Sequence, residues 1–116
     1  MGLSDEPEVI RLSVPAQTDF VSVVRLAARV VAGRAGCGDD ARSRLLAAIG
    51  AAFFALLRNA GGDASVAALL HGADGSVQVE LATDDGSRAD ADQVEALVAR
   101  YDVTEHDGAL RISISA

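Results

Sequence analysis

Asp39 to Ala60 reads DDARSRLLAAIGAAFFALLRNA, and between Leu45 and Leu57 it carries no polar side chain. A helix accepts such a run only when nearly its whole circumference is covered by protein. The stretch therefore predicts a central buried helix, with Leu45, Leu46, Ile49, Phe53, Leu56 and Leu57 in the core. Asp39 is expected as its N-cap, with Asp40 in the positive first turn and Arg58 in the negative last turn. Gly61-Gly62 supplies the stop. The apolar run falls short of the roughly 18 to 20 residues that span a bilayer, so the cover must come from the domain itself and no membrane span is expected.

With 116 residues the chain is large enough for one domain with its own core. The expected division is a loose, polar segment over residues 1–7 and a single domain over 8–116. One cysteine, Cys37, leaves no internal disulfide, and the N-terminus has no apolar signal-peptide region, so a reducing cytoplasm is expected. The formal net charge of −7 argues against direct nucleic-acid binding, where neutralised phosphates supply most of the affinity. All ten basic residues are arginine. That excludes a P-loop lysine, a Schiff-base lysine and a lysine general base.

The chain outside the central helix reads as alternating short elements. Glu8 to Val14 alternates as a strand, and Pro15 ends it. Thr18 can cap a helix whose apolar positions Phe20, Val23, Val24, Ala27, Val30 and Val31 recur at helical spacing, with Arg25 and Arg29 together on the other side. Gly33 or Gly36 stops it. Ala64–Leu70 and Ser76–Thr83 read as two strands, and the Asp74-Gly75 pair between them is a hairpin signal. Asp84-Asp85-Gly86-Ser87 has loop composition. Val94, Leu97, Val98 and Tyr101 mark one face of a short helix over Asp90–Tyr101. A strand at Val103–Glu105, a turn at His106-Asp107-Gly108 and a strand at Leu110–Ile114 close the chain. The order β-α-α-β-β-α-β-β predicts an α+β two-layer sandwich, a mixed and mostly antiparallel sheet with three helices on one face.

That order and four stretches of the chain carry a resemblance. IRLSVPAQTDFVSVVRLAARVVAGRAG, LLAAIGAAFFALLRNA and YDVTEHDGALRISI resemble the first strand and helix, the following helix and the terminal hairpin of anti-sigma factors of the RsbW and SpoIIAB type. These are serine-protein kinases with the GHKL, histidine-kinase-like ATPase fold. The resemblance runs from about Val9 to Ile114, and VQVELATDDGS looks like the strand leading to the family's adenine-binding Asp-x-Gly. It implies a sigma factor or an anti-anti-sigma (STAS-like) protein as partner, the Arg25 and Arg29 side of the first helix as candidate partner contact, and homodimerisation as a further option.

The family's nucleotide residues are mostly missing. A Glu that prepares water and an Asn that holds Mg²⁺, four residues apart on one helical face, fall on Ala51 and Ala55, so no catalytic residue is assigned. Asn59 lies one turn further on, within reach of a ligand in principle, but beside Gly-Gly it reads first as a helix-end cap. Asp84 and Gly86 match the adenine-binding pair, although any turn uses such residues; Arg88 replaces the next glycine. The segment before the last helix has no lid glycine and carries Asp90 and Asp92, which oppose phosphate. Phe53 or Phe54 flanks the nucleotide face, and both also read as core residues. The expectation is a degenerate, non-catalytic anti-sigma-like regulator without a cofactor. An active kinase using ATP and Mg²⁺ through unmatched residues, and a scaffold or dimerisation module, are the rival readings.

Other chemistries find little support. Asp84, Asp85, Asp90 and Asp92 miss the ligand spacing of a calcium loop, and no metal site is assigned. His71 and His106 sit beside turns without a nucleophile or second ligand at a telling distance. Cys37 lies between two glycines without a basic neighbour, as an inert linker cysteine does.

Overall fold

The computed structural model describes residues 8–115; the segment expected to be loose over 1–7 lies outside the described residues. Five strands and three helices follow in the order β1 (Glu8–Pro15), α1 (Val21–Ala35), α2 (Asp39–Leu57), β2 (Ser65–Ala73), β3 (Ser76–Thr83), α3 (Ala91–Arg100), β4 (Val103–His106) and β5 (Ala109–Ser115). A single 3-10 turn, Thr18–Phe20, leads into α1. The sheet order is β1-β2-β3-β5-β4. Every pairing in it is antiparallel, so the sheet expected to be mixed has no parallel pair. Among the described residues no helix is long and apolar enough to cross a membrane.

Two tight turns fix the register. Asp74 and Gly75 both have positive φ, 50° and 79°, and so do Asp107 and Gly108, at 52° and 87°. Paired positive φ values are those of the two-residue turn whose twist matches antiparallel strands. β2 therefore runs on to Ala73, three residues beyond the expected end. Register then puts Val66, Ala68 and Leu70 of β2, Val77, Val79 and Leu81 of β3, and Leu110, Ile112 and Ile114 of β5 on one buried face. At one end of the sheet Glu8 pairs with Gly72 and Ser115 with Ser76.

α2 is the centre of the helical layer. Leu45, Ile49, Phe53 and Leu56 are fully buried, while Leu46 and Leu57 pack against the core from its margin. The cover is less complete than the apolar run implies, because Ala47 faces solvent and Phe54 is 41% exposed. The N-cap is Gly38 and not Asp39, which sits inside the first turn with Asp40 and pairs with Arg42. The carboxylates thus act on the helix dipole instead of capping backbone donors. The helix ends at Leu57, with Arg58 as C-cap, short of the Gly-Gly stop.

α1 differs most from expectation. It buries Val21, Val24, Ala28, Val31 and Ala32, and leaves Val23 43%, Leu26 60% and Val30 42% exposed. The reason is a close approach to β2. A Cβ built on Gly72 would lie 2.5 Å from Cγ1 of Val31 and 3.3 Å from Cβ of Ala35. The bare glycine seats Val31 and Ala35, which fixes the phase of α1 and turns Val23, Leu26 and Val30 outward. Gly36, at φ 83°, ends the helix in the left-handed region as a C-cap glycine should. The thiol of Cys37 then donates to the carbonyl of Gly75 at 3.3 Å, and the N–H of Gly75 to Ala35 O at 2.6 Å, which ties the α1–α2 junction to the β2–β3 turn. Burial raises the Cys37 pKa, against a smaller opposing effect of Arg42, which favours the neutral thiol that makes this bond.

On α3 only Leu97 is buried; Val94 and Tyr101 pack at the margin, and Val98, expected on the inner face, is 53% exposed.

Candidate functional site

The site begins with one stripe of α2. At 100° per residue, Arg44, Ala48, Ala51 and Ala55 fall along one side of the helix, and Asn59 follows in the turn beyond its end. That side faces the α3 layer: Arg44 and Ala48 line a cavity of about 280 Å³ whose other wall includes Val98, Ala99, Arg100 and Tyr101. Further along, Ala55 is buried and Ala51 half-buried. Neither methyl group can prepare a water, ligate a metal or accept a proton.

The C-terminal end of the stripe is occupied by the chain itself. Asn59 Nδ2 donates to the Arg88 carbonyl at 2.8 Å and to Asp90 Oδ1 at 2.7 Å. Both of these bonds leave its own helix: the amide holds the segment entering α3 against the end of α2. Asp90 is the N-cap residue of α3 in extended conformation. The carboxylate read from the sequence as a repeller of phosphate has an internal partner.

Asp84, Asp85 and Gly86 are built into the same junction. The N–H of Asp84 donates to Ser65 O at 3.0 Å, and its Oδ1 accepts from the N–H of Ser65 at 2.8 Å, so Asp84 extends the β2–β3 ladder by one pair. Asp85 reaches the opposite way. Its Oδ2 accepts from the N–H of Gly61 at 2.8 Å and its Oδ1 from the N–H of Ser87 at 2.9 Å. The Ser87 side chain, then the N–H groups of Gly61 and Ser87, hold the Asp85 carboxyl well below the usual carboxylate range. Thr83 donates to the Ser87 carbonyl at 2.8 Å and accepts from the Ser87 hydroxyl at 3.0 Å, closing the loop on itself. Gly86 has φ 77°, and nothing lies within 4 Å of where its Cβ would be. The turn explains this glycine. Arg88, in place of a glycine, lies along Gly108 of the β4–β5 turn, about 3.3 Å from that residue's missing Cβ.

The two phenylalanines part company. Phe53 is a fully buried core residue on the far side of α2 from Ala51 and Ala55, and Phe54 meets it edge to face with ring centroids 6.3 Å apart. Phe54 flanks the stripe and stays partly exposed.

The paired surface expected at Arg25 and Arg29 is divided as well. Arg25 is half-buried, its Nε donates to the Leu46 carbonyl at 3.2 Å, and its guanidinium covers Gly50 so closely that a Cβ there would collide with it. It braces α1 against α2, whereas Arg29 is exposed. What sequence reading missed on this helix is the outward row Val23, Leu26 and Val30. The signal was present, since α1 has more apolar positions than one buried face can take. His71 lies exposed on the uncovered face of the sheet, and His106 is exposed 3.8 Å from Asp107, so neither joins a site.

Comparison with known proteins agrees with this architecture. No family model and no curated protein matches the sequence. Among solved structures, the chain is similar to the crystal structure of the RsbU and RsbW domains of Rv1364c from Mycobacterium tuberculosis. The TM-score is 0.60 at 19% identity, over 93% of this chain and 32% of that one. The chain thus spans about a third of the length of that two-domain chain. The likeness is one of fold: the five-stranded sheet with its three helices is shared with that structure over nearly the whole of this chain.

Proposed function

We propose that this chain is a degenerate anti-sigma-like regulator that binds a sigma factor or an anti-anti-sigma protein in the cytoplasm and has lost ATP binding and kinase activity. The RsbW-like fold supports the class of partner. The observation that supports the loss of chemistry is the pair of methyl groups at the family's Glu and Asn positions, together with internal hydrogen bonds at Asp84 and at neighbouring Asn59 and Asp85. Asn59 is bonded to Arg88 and Asp90, Asp84 to Ser65, and Asp85 to Gly61 and Ser87, while Ala51 and Ala55 offer no polar atom. A nucleotide would share Asp84 with the N–H of Ser65, since a carboxylate accepts several hydrogen bonds. One contact to Asp84 would return about 1.5 to 3 kcal/mol, which alone gives no better than millimolar affinity.

Calorimetry with Mg·ATP tests the loss. Binding weaker than about 100 µM, or none, is expected; tighter binding, beyond roughly −5.5 kcal/mol, overturns it and favours the kinase. Capture against the sigma factors and anti-anti-sigma proteins of the same genome tests the partner. Failure with all of them, for a folded protein, refutes the regulatory reading.

A further inference from the structure

The cavity of about 280 Å³ between α2 and α3 has an arginine in each wall, Arg44 from the second turn of α2 and Arg100 from the last turn of α3. Buried Ala48 and Ile114 complete the lining between them. The guanidinium carbon of Arg100 lies 5.6 Å from the centroid of the half-buried Tyr101 ring, over its aromatic face. Arg44 makes no ion pair or hydrogen bond among the described residues. Other arginines of this acidic chain are engaged: Arg42 pairs with Asp39, Arg111 with Glu80, and Arg25 donates to the Leu46 carbonyl. Against its two arginines the cavity sets one carboxylate, Asp102, and Asp40 stands one helical turn before Arg44.

The cavity is remote from the positions that correspond to a nucleotide pocket. Asn59 follows Arg44 by fifteen residues, about 22 Å along the helix direction, and Asp84 and Asp85 bond to Ser65 and Gly61 beyond that end. We propose that the cavity is a binding site for a phosphoryl group, free phosphate or a small phosphate monoester, held between Arg44 and Arg100. A guanidinium is a planar fork of donors that matches two oxygens of a phosphate. A phosphoryl group brings about −1.5 to −2 charge and three strong acceptor oxygens, enough to engage two forks at once. A carboxylate has two oxygens and one charge, which a single fork uses up. The volume lies just under the roughly 300 to 1,000 Å³ of pockets for drug-sized ligands, so it suits a phosphoryl group with a few further atoms.

Occupancy would tie the end of α3 to α2. Among the described residues of α3 only Leu97 is buried, so a second attachment at Arg100 changes how firmly the helix is held. The site requires neither a nucleotide nor a protein partner.

The test is a titration of ¹⁵N-labelled protein with inorganic phosphate at constant ionic strength, with acetate as the control anion and glycerol 3-phosphate as the ester. Phosphate is expected to shift the amides of residues 44–48 and 98–102 with half-saturation at about 1 mM or below. It should also slow hydrogen exchange over α3 and raise the melting temperature. Acetate should bind at least about tenfold more weakly. Arg44→Gln and Arg100→Gln, both at exposed positions, should each weaken phosphate by at least about tenfold. Arg44→Lys, which keeps the charge and loses the fork, should weaken it less than Arg44→Gln does. Tighter binding of glycerol 3-phosphate than of phosphate supports an ester as the ligand, and equal or weaker binding supports the free ion. The proposal is overturned if the shifts fall on other arginines, if acetate reproduces them, if they do not saturate by about 20 mM, or if they survive both glutamine variants.

Discussion

Replacing Gly72 by alanine tests the seat of α1, on which its outward face depends. The new Cβ would lie 2.5 Å from Val31 Cγ1 and 3.3 Å from the Val31 carbonyl oxygen. Carbon atoms rest about 3.5 to 4.0 Å apart, so either the helix or the valine must give by about 1 Å. Overpacking of this kind costs about 1 to 3 kcal/mol, and the reduced entropy of the unfolded chain returns about 0.4 to 1 of it. A net loss of about 1 to 2 kcal/mol is expected, read as a fall of the urea midpoint on the order of 1 M, since m is about 1 to 3 kcal/mol/M for small domains. Val31→Ala alone should cost about 2 kcal/mol, because it removes two methyl groups from a fully buried side chain. In the double variant the space left by Val31 receives the new methyl group. Its loss should therefore be smaller than the sum of the single losses by about 0.5 to 3 kcal/mol. Simple additivity, or a neutral Gly72→Ala, would refute the packing of α1 on β2 described above.

Ile49→Asp should leave no folded protein by circular dichroism, because Ile49 is fully buried and among the described residues no polar side chain is buried that could receive the charge. Arg25→Glu should lower the melting temperature by breaking the bond to Leu46, worth about 1 kcal/mol, whereas Arg29→Glu should leave stability within about 0.5 kcal/mol of the parent; equal effects would contradict the bracing role. Asp85→Asn should speed amide exchange at Ser87 and Gly61, with protection unchanged in the β3–β5 ladder. A carboxyl with a depressed folded pKa contributes stability that is present above its unfolded value, about 3.9, and lost as pH falls through the folded value. The parent and Asp85→Asn should accordingly differ at neutral pH and converge in strong acid, and a difference that grows on acidification would refute the assignment.

Much of this fold is legible in the sequence because it rests on local signals. The apolar run of α2 has no other place than a core, and the Asp-Gly pairs at 74–75 and 107–108 specify two-residue turns on chemistry alone. The phase of α1 is not legible. Val23, Val30 and Leu26 compete with Val24, Ala28 and Val31 for the buried side, and the decision falls to Gly72, more than thirty residues on, through a steric limit that no helical period reveals. At the candidate site the losses at Ala51 and Ala55 can be read from residue type. The use made of Asn59, Asp84 and Asp85 cannot, because their partners Arg88, Ser65 and Gly61 become neighbours only when β2, β3 and α3 are in place. Arg25 and Arg29 look equivalent in sequence, and a glycine at position 50 separates them by admitting one guanidinium to the helix interface.

The register has a consequence for how the chain can be cut and rejoined. Glu8 lies opposite Gly72 and Ser115 opposite Ser76, so the two ends of the described chain emerge at the same end of the sheet, on either side of the β2–β3 hairpin. β1 and β5 are separated there by two strands, which is three interstrand spacings or about 14 Å, a gap that about five extended residues bridge. A circularly permuted chain can therefore join Ser115 to Glu8 and open at the β4–β5 turn, where Arg88 lies along Gly108. Neither α1 nor the junction at Asn59 would have to move. Which end of the polypeptide comes first is, for this arrangement, a matter of covalent order and not of packing.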